Sequence, residues 1–117
     1  MKTALIIEDD KDTLDILGYI VNDIGLKNVN SRTILTTHEI YELSPHIILL
    51  DHFLNMKLGD NLCLKIKSDP AIKHIPVIML STHLNIEVIA KKSLADTYLA
   101  KPFDIGDLTG LINTFII

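Results

Sequence analysis

The chain has a single cysteine, no tryptophan and few aromatic residues, which make up 5% of its 117 residues. Because Cys63 stands alone, an internal disulfide is excluded, and this cysteine usage fits a reducing cytoplasm. Stacking platforms for single-stranded nucleic acid need aromatic side chains, so their scarcity argues against that class of protein. The net charge of −4 argues in the same direction, because nucleic-acid-binding domains usually carry a basic patch.

Long hydrophobic stretches are also missing. Polar or charged residues interrupt every apolar run well before the roughly 20 residues that a membrane-spanning helix needs. The apolar run that follows Met1 is short and ends in acids, which is typical of a first strand rather than a signal peptide. The length predicts one domain over residues 1–117, with no separate output domain in this chain.

Two apolar patterns alternate along the sequence. Short continuous runs at residues 4–7, 47–50 and 77–80 predict strands that are covered on both faces, and weaker strands are expected around Val29 and at residues 98–100. Segments with helical spacing lie between them. Their inward positions are Leu14, Leu17, Val21 and Ile24; Ile34, Ile40 and Leu43; Leu58, Leu62 and Ile66; and Ile86, Ile89 and Ala90. A fifth helix is predicted to begin at Asp104 and to turn Leu108, Leu111, Ile112 and Phe115 inward.

Five successive strand–helix units predict an α/β fold with a doubly wound, parallel, five-stranded sheet. For a sheet of this size the expected strand order is 2-1-3-4-5, the flavodoxin-like (βα)5 arrangement. Right-handed crossovers then place a ligand crevice at the carboxyl ends of strands 1 and 3. The topology therefore predicts where a functional site should lie.

Acidic residues follow both of those strands. Glu8 and Asp9 come directly after the first, and Asp51 comes directly after the third. Neighbouring carboxylates resist ionising together, so a hard divalent cation would stabilise them, and a set of oxygen ligands favours Mg²⁺ or Mn²⁺ over zinc. Taken singly, an acid at a strand end is usually a solvated loop residue, and Asp10 and Asp12 are predicted to cap or begin the first helix.

The fourth and fifth predicted strands also end in residues suited to phosphate chemistry. The Ser81 hydroxyl can donate to a phosphate oxygen or cap a helix, and the sequence leaves both roles open. Lys101 can pair with Asp51 or hold a transferred phosphate, although an isolated lysine before a loop is usually just solvated. Together, the three acids, the hydroxyl and the lysine favour phosphoryl transfer more strongly than any one of them does alone.

Four segments resemble the response-regulator receiver family of two-component signalling, which includes the chemotaxis regulators, and together they span essentially the whole chain. Residues 4–10 resemble the first strand with its acidic pair. Residues 47–51 resemble the strand that carries the phospho-acceptor, and Gly59 follows at the family's spacing. Residues 75–81 and 98–103 resemble the strands that carry the Ser/Thr switch residue, and the switch aromatic with its Lys-Pro pair.

The resemblance implies that Asp51 accepts a phosphoryl group from a phosphohistidine on a sensor histidine kinase or phosphotransfer protein. Mg²⁺ would be held by Glu8, Asp9, Asp51 and the backbone carbonyl of Phe53. Such a receiver is not an enzyme in the usual sense, because it catalyses only its own phosphorylation and dephosphorylation. A cytoplasmic location is expected.

The resemblance assigns the remaining roles. Lys101 would contact the acyl phosphate, and its bond to Pro102 is expected to be cis. Ser81 and Tyr98 would move as a pair and change the face formed by the fourth helix, fifth strand and fifth helix. That face would bind a downstream protein or a second copy of the chain, with no direct contact to nucleic acid or membrane.

Some residues depart from the family pattern. Asn55 stands where proline is frequent, Leu94 occupies a frequent glycine position, and the stretch between the fourth and fifth strands is short, so a trimmed or irregular fourth helix is expected.

Three other classes of protein share parts of this pattern. A degenerate receiver that only binds partners usually lacks an acid, the hydroxyl or the lysine, and all are present here. A haloacid-dehalogenase-like hydrolase carries an Asp-x-Asp motif that begins at its nucleophile. Here the residue two places after Asp51 is Phe53, not an aspartate. A flavodoxin-like cofactor module would need a phosphate-binding loop rich in Ser, Thr or Gly after the first strand, where this chain has acids.

Overall fold

The computed structural model describes residues 2–54 and 57–116. At its centre lies a five-stranded sheet in which every neighbouring pair is parallel. In chain order, its strands are β1 (Thr3–Ile7), β2 (Lys27–Ser31), β3 (Ile47–Asp51), β4 (Val77–Ser81) and β5 (Thr97–Ala100). The spatial order is β2-β1-β3-β4-β5. This confirms the predicted flavodoxin-like arrangement.

Five helices alternate with the sheet strands. They are α1 (Lys11–Asp23), α2 (Thr37–Leu43), α3 (Gly59–Ser68), α4 (Ile86–Lys92) and α5 (Ile105–Ile116). A short antiparallel hairpin pairs Phe53–Leu54 with Lys57–Leu58 between β3 and α3. In the part of the chain that the structure describes, no helix combines the length and apolar character needed to cross a bilayer.

The sheet has a hydrophobic core on each face. Alternate residues of β1 divide between them, with Leu5 and Ile7 on one side and Ala4 and Ile6 on the other. The first core packs under α2, α3 and α4, and the second under α1 and α5. Every residue of β3 and β4 is buried, as expected of central strands covered on both faces.

Local capping explains where the first two helices begin. The Asp10 side chain accepts a hydrogen bond from the Thr13 backbone N–H at 2.9 Å, which confirms the predicted cap of α1. At α2, Thr36 and Glu39 form a reciprocal capping box. Beyond α1, Gly25 adopts a φ of 92°, a left-handed conformation that glycine accepts without steric cost.

The structure corrects parts of the sequence-based assignment around α2 and α4. Leu43 was predicted to face inward but is 41% exposed, so that prediction was wrong. Ile34 packs on the core but lies before α2 begins, because the Thr36 cap starts the helix later. The trimmed fourth helix is confirmed, since α4 has only seven residues. Leu94 has a φ of 64°, a left-handed conformation that glycine adopts more easily than other residues. This explains why glycine is frequent at this position in the family that the chain resembles.

Candidate functional site

The carboxyl ends of β1 and β3 lie side by side because the two strands pair in parallel, with Ile7 opposite Leu50. The residues that follow are Glu8 and Asp9 on one strand and Asp51 on the other. One carboxylate oxygen from each of these three acids lies within 4.8 Å of the others. The structure therefore brings together the three carboxylates that the sequence singled out.

Lys101 joins this group from the end of β5. Its Nζ donates to Glu8 Oε1 at 2.6 Å and to Asp51 Oδ1 at 3.1 Å. The Lys101 backbone N–H also donates to the Ser81 carbonyl at 2.8 Å, which extends the pairing of β4 and β5 by one residue. The bond between Lys101 and Pro102 is cis, as the resemblance implied.

Burial and neighbouring charges shift the pKa values of Glu8 and Lys101. Glu8 is only 2% exposed, and burial, followed by its contact with Asp51, raises its pKa to about 7. Burial opposes the charge on Lys101, but the hydrogen bonds and negative charges of the two acids outweigh it and raise the Lys101 pKa. The Asp51 side chain is largely buried but keeps 11% exposure, so it is not fully closed off from solvent.

The chemistry of the donors suits a hard divalent cation. Three carboxylates supply oxygen atoms only, which Mg²⁺ and Mn²⁺ prefer, and the surplus of acids over the single Lys101 ammonium favours added positive charge. Arg32 steadies the adjoining loop, because its Nε and a terminal nitrogen donate to the Asp9 carbonyl at 3.1 and 2.9 Å.

Ser81 lies at the end of β4, one residue beyond the partner of Asp51 in the sheet register. Its hydroxyl is buried and already engaged: Oγ lies 3.3 Å from His52 Nδ1 and accepts from the His83 backbone N–H at 2.9 Å. Tyr98 is half-buried in β5 and packs against the core beneath α4. Ser81 and Tyr98 thus lie on neighbouring strands.

The segment after Asp51 is only partly described. Phe53 belongs to the short hairpin, but its side chain is outside the described structure, and its expected role as a carbonyl ligand stays a prediction. Asn55 also lies outside the described residues. Gly59 begins α3 directly against β3, where a Cβ atom would collide with the Asp51 carbonyl oxygen. The glycine that the sequence spacing singled out therefore has a steric reason.

Sequence reasoning missed two contributors to this region. His52 carries no motif or ligand spacing in the sequence, yet it is buried and contacts Ser81. Its position directly after a fully buried strand was the available signal. Arg32 follows the weak strand β2, and nothing in its local sequence indicates that it reaches the loop after β1.

Comparison with known proteins agrees with this geometry. Response regulator Rcp1 from Synechocystis sp. is 40% identical over 127 residues, which cover 95% of this chain and 84% of Rcp1. A putative response regulator from Chloroflexus aurantiacus has the same fold, with a TM-score of 0.87 at 24% identity over 97% of this chain and 96% of that one.

A second solved structure is the receiver domain of sensor histidine kinase PA1611 from Pseudomonas aeruginosa, with a TM-score of 0.82 at 17% identity. The match covers 98% of this chain and 97% of that one.

Several curated relatives are much longer than this chain. It spans 8% of a histidine kinase and about half, 49% and 52%, of two transcriptional regulators. The model of the response regulator receiver domain matches residues 4–113. Members of this family are signalling phospho-acceptors that bind Mg²⁺ at an acidic pocket and interact with histidine kinases. The chain belongs to the response regulator receiver domain family of two-component systems.

Proposed function

We propose that this chain is a working phospho-acceptor in which Asp51 receives a phosphoryl group from a phosphohistidine. The donor would be a sensor histidine kinase or a phosphotransfer protein. In the reaction an Asp51 carboxylate oxygen forms a bond to phosphorus while the N–P bond of the phosphohistidine breaks, and the leaving imidazole takes up a proton. The observation that carries the proposal is the position of Asp51 between two acids and Lys101 at the carboxyl edge of the sheet.

Glu8, Asp9 and Asp51 would hold Mg²⁺, or Mn²⁺, together with the Phe53 carbonyl. When bound, the cation would offset the charge of the incoming phosphoryl oxygens. The receiver domain of PA1611 has a magnesium ion coordinated in its active site cleft, which supports a similar assignment here. Asp51 itself would supply the attacking oxygen, and Glu8 and Asp9 lie beside it at the end of β1.

Lys101 and Ser81 would stabilise the phosphorylated state. The Lys101 ammonium already contacts Asp51 and would pair with the new dianion. Ser81 would turn its hydroxyl toward the phosphoryl group, and Tyr98 on the neighbouring strand would follow inward. Positioning and charge stabilisation supply most of the effect in phosphoryl transfer, so the domain would catalyse only its own phosphorylation and dephosphorylation.

The altered surface would be the face formed by α4, β5 and α5. Val88 and Ile105 on this face are 50% and 61% exposed, which suits contact with a downstream protein or a second copy. Residues 1–117 would act as one receiver domain, without an output domain within them and without direct contact to nucleic acid or membrane. A cytoplasmic location would suit partners of this kind.

Acetyl phosphate with and without Mg²⁺, followed by intact mass, tests the proposal. Wild type should gain one phosphoryl group only with the cation. Asp51→Asn should gain none, and Asp23→Asn, an exposed control at the end of α1, should behave as wild type. Phosphorylation of Asp51→Asn, or none in wild type, would contradict the proposal.

A further inference from the structure

The buried histidine that follows the phospho-acceptor is not explained by the chemistry above. His52 is 6% exposed, and its Nδ1 lies 3.3 Å from the Ser81 hydroxyl oxygen. The exposed ring of His83 lies edge-on to it, with 5.8 Å between ring centroids. The His83 backbone N–H donates to the same hydroxyl at 2.9 Å. Two histidines therefore enclose the side chain that is proposed to switch.

The hydrogen-bond directions follow from the neighbours of the ring. His52 Nε2 lies 4.0 Å from Asp60 Oδ1, and a carboxylate there favours the tautomer with its proton on Nε2. Nδ1 is then an acceptor facing Ser81. Because Ser81 Oγ already accepts from His83, its one proton is directed to His52.

We infer that His52 is a positioning residue that sets the strength of the switch by holding the Ser81 hydroxyl proton away from Asp51. The inference rests on the proposed phosphorylation of Asp51. Ser81 can donate to a phosphoryl oxygen only by releasing His52. The released Nδ1 then belongs to a largely buried ring and has lost this partner, and leaving a buried acceptor unpaired is unfavourable. His52 thus favours the unphosphorylated arrangement.

Beryllofluoride with Mg²⁺, a stable mimic of the phosphoryl group, measures this competition through its affinity in an NMR titration. His52→Leu removes the acceptor and should bind beryllofluoride about threefold to tenfold more tightly than wild type. His52→Asn keeps a polar atom near the Nδ1 position and should restore near-wild-type affinity. His74→Leu, an exposed histidine outside the cluster, is the matched control and should change nothing.

The Ser81→Ala background separates positioning from a general packing effect. If His52 acts through Ser81, then His52→Leu should leave the affinity of Ser81→Ala unchanged. An equal gain in beryllofluoride affinity in both backgrounds, or no gain in either, would overturn the inference. Because wild type would still bind beryllofluoride, either result would leave the proposed function intact. Failure of wild type to bind beryllofluoride overturns both.

A second measurement does not depend on whether the His52→Leu variant folds. The ¹⁵N shift of His52 Nδ1 should identify an acceptor nitrogen in wild type and should move in Ser81→Ala, which lacks the donor. A protonated Nδ1, or a shift that Ser81→Ala leaves unchanged, would rule out the proposed hydrogen bond.

Discussion

Two largely buried lysines lie at opposite edges of the same sheet. At the amino edge, Lys67 contacts Asp96 at 2.6 Å and donates to the carbonyls of Ile75 at 2.7 Å and Lys73 at 3.1 Å. At the carboxyl edge, Lys101 contacts Glu8 and Asp51. The Lys67 side chain is 9% exposed and that of Lys101 is 18% exposed.

The difference lies in how completely each charge is balanced. Lys67 has one carboxylate and two neutral carbonyls, so its three N–H donors and its charge are matched. Lys101 is shared by two carboxylates, and the pKa of Glu8 rises because burial and the second acid disfavour its charge. The first arrangement suits a permanent structural contact. The second favours the arrival of further positive charge and a chemical change at Asp51.

The largest expected effects come from removing each lysine. Lys67→Met leaves two carbonyls without their donor and removes the counter-charge of Asp96, so the free energy of unfolding should fall by about 2–4 kcal/mol. Lys101→Met should retain more stability but react with acetyl phosphate about 100-fold more slowly, because a preorganised charge is lost. Urea unfolding and mass spectrometry measure the two effects. A larger stability loss in Lys101→Met than in Lys67→Met would contradict the comparison.

Neutralising one acid at each edge should change stability in opposite directions. Asp96→Asn weakens the contact with Lys67 and the 2.7 Å bond from the Val77 N–H, and should lower the free energy of unfolding by about 1–2 kcal/mol. Asp51→Asn relieves repulsion with Glu8 and should raise it by about 1 kcal/mol in low salt with EDTA. Changes of the same sign in both variants would show that the carboxyl edge is already balanced.

A further expected effect is a pH dependence of stability that originates at the carboxyl edge. The pKa of Glu8 is about 7 in the folded protein against an ordinary value of 4.5, so the folded state binds more protons between these values. Its contribution to stability therefore falls as pH rises through this window, by roughly 2–3 kcal/mol in EDTA. Thermal unfolding of wild type and Glu8→Gln between pH 5 and pH 8 measures the difference, and parallel curves would contradict it.

The sequence predicted the sheet well because its central strands are buried on both faces. β1, β3 and β4 appear as continuous apolar runs whose ends were placed within a residue of those observed. β2 was weak because it is an edge strand with polar residues such as Asn28 and Asn30. Leu43 was misassigned because helical spacing alone does not show where a short helix meets the core.

The main acids of the site could be located from topology, since parallel strands must end at a common edge. Contacts made by side-chain packing left no such signal. Lys67 and Asp96 are far apart in sequence, and each resembles an ordinary charged residue near the end of a helix or loop. The burial of His52 depends on β4, α3 and the His83 backbone meeting around it, which no local pattern encodes.

Lys67 also has a practical consequence for labelling the protein. Its contacts tie the end of α3, the connection before β4 and the turn before β5 into one rigid junction. A fluorophore attached near this junction, at the exposed His74, should report overall tumbling and little else. One attached at Thr82, beside the opposite edge, should respond to phosphorylation. The pair would form a reference and a sensor within one small domain.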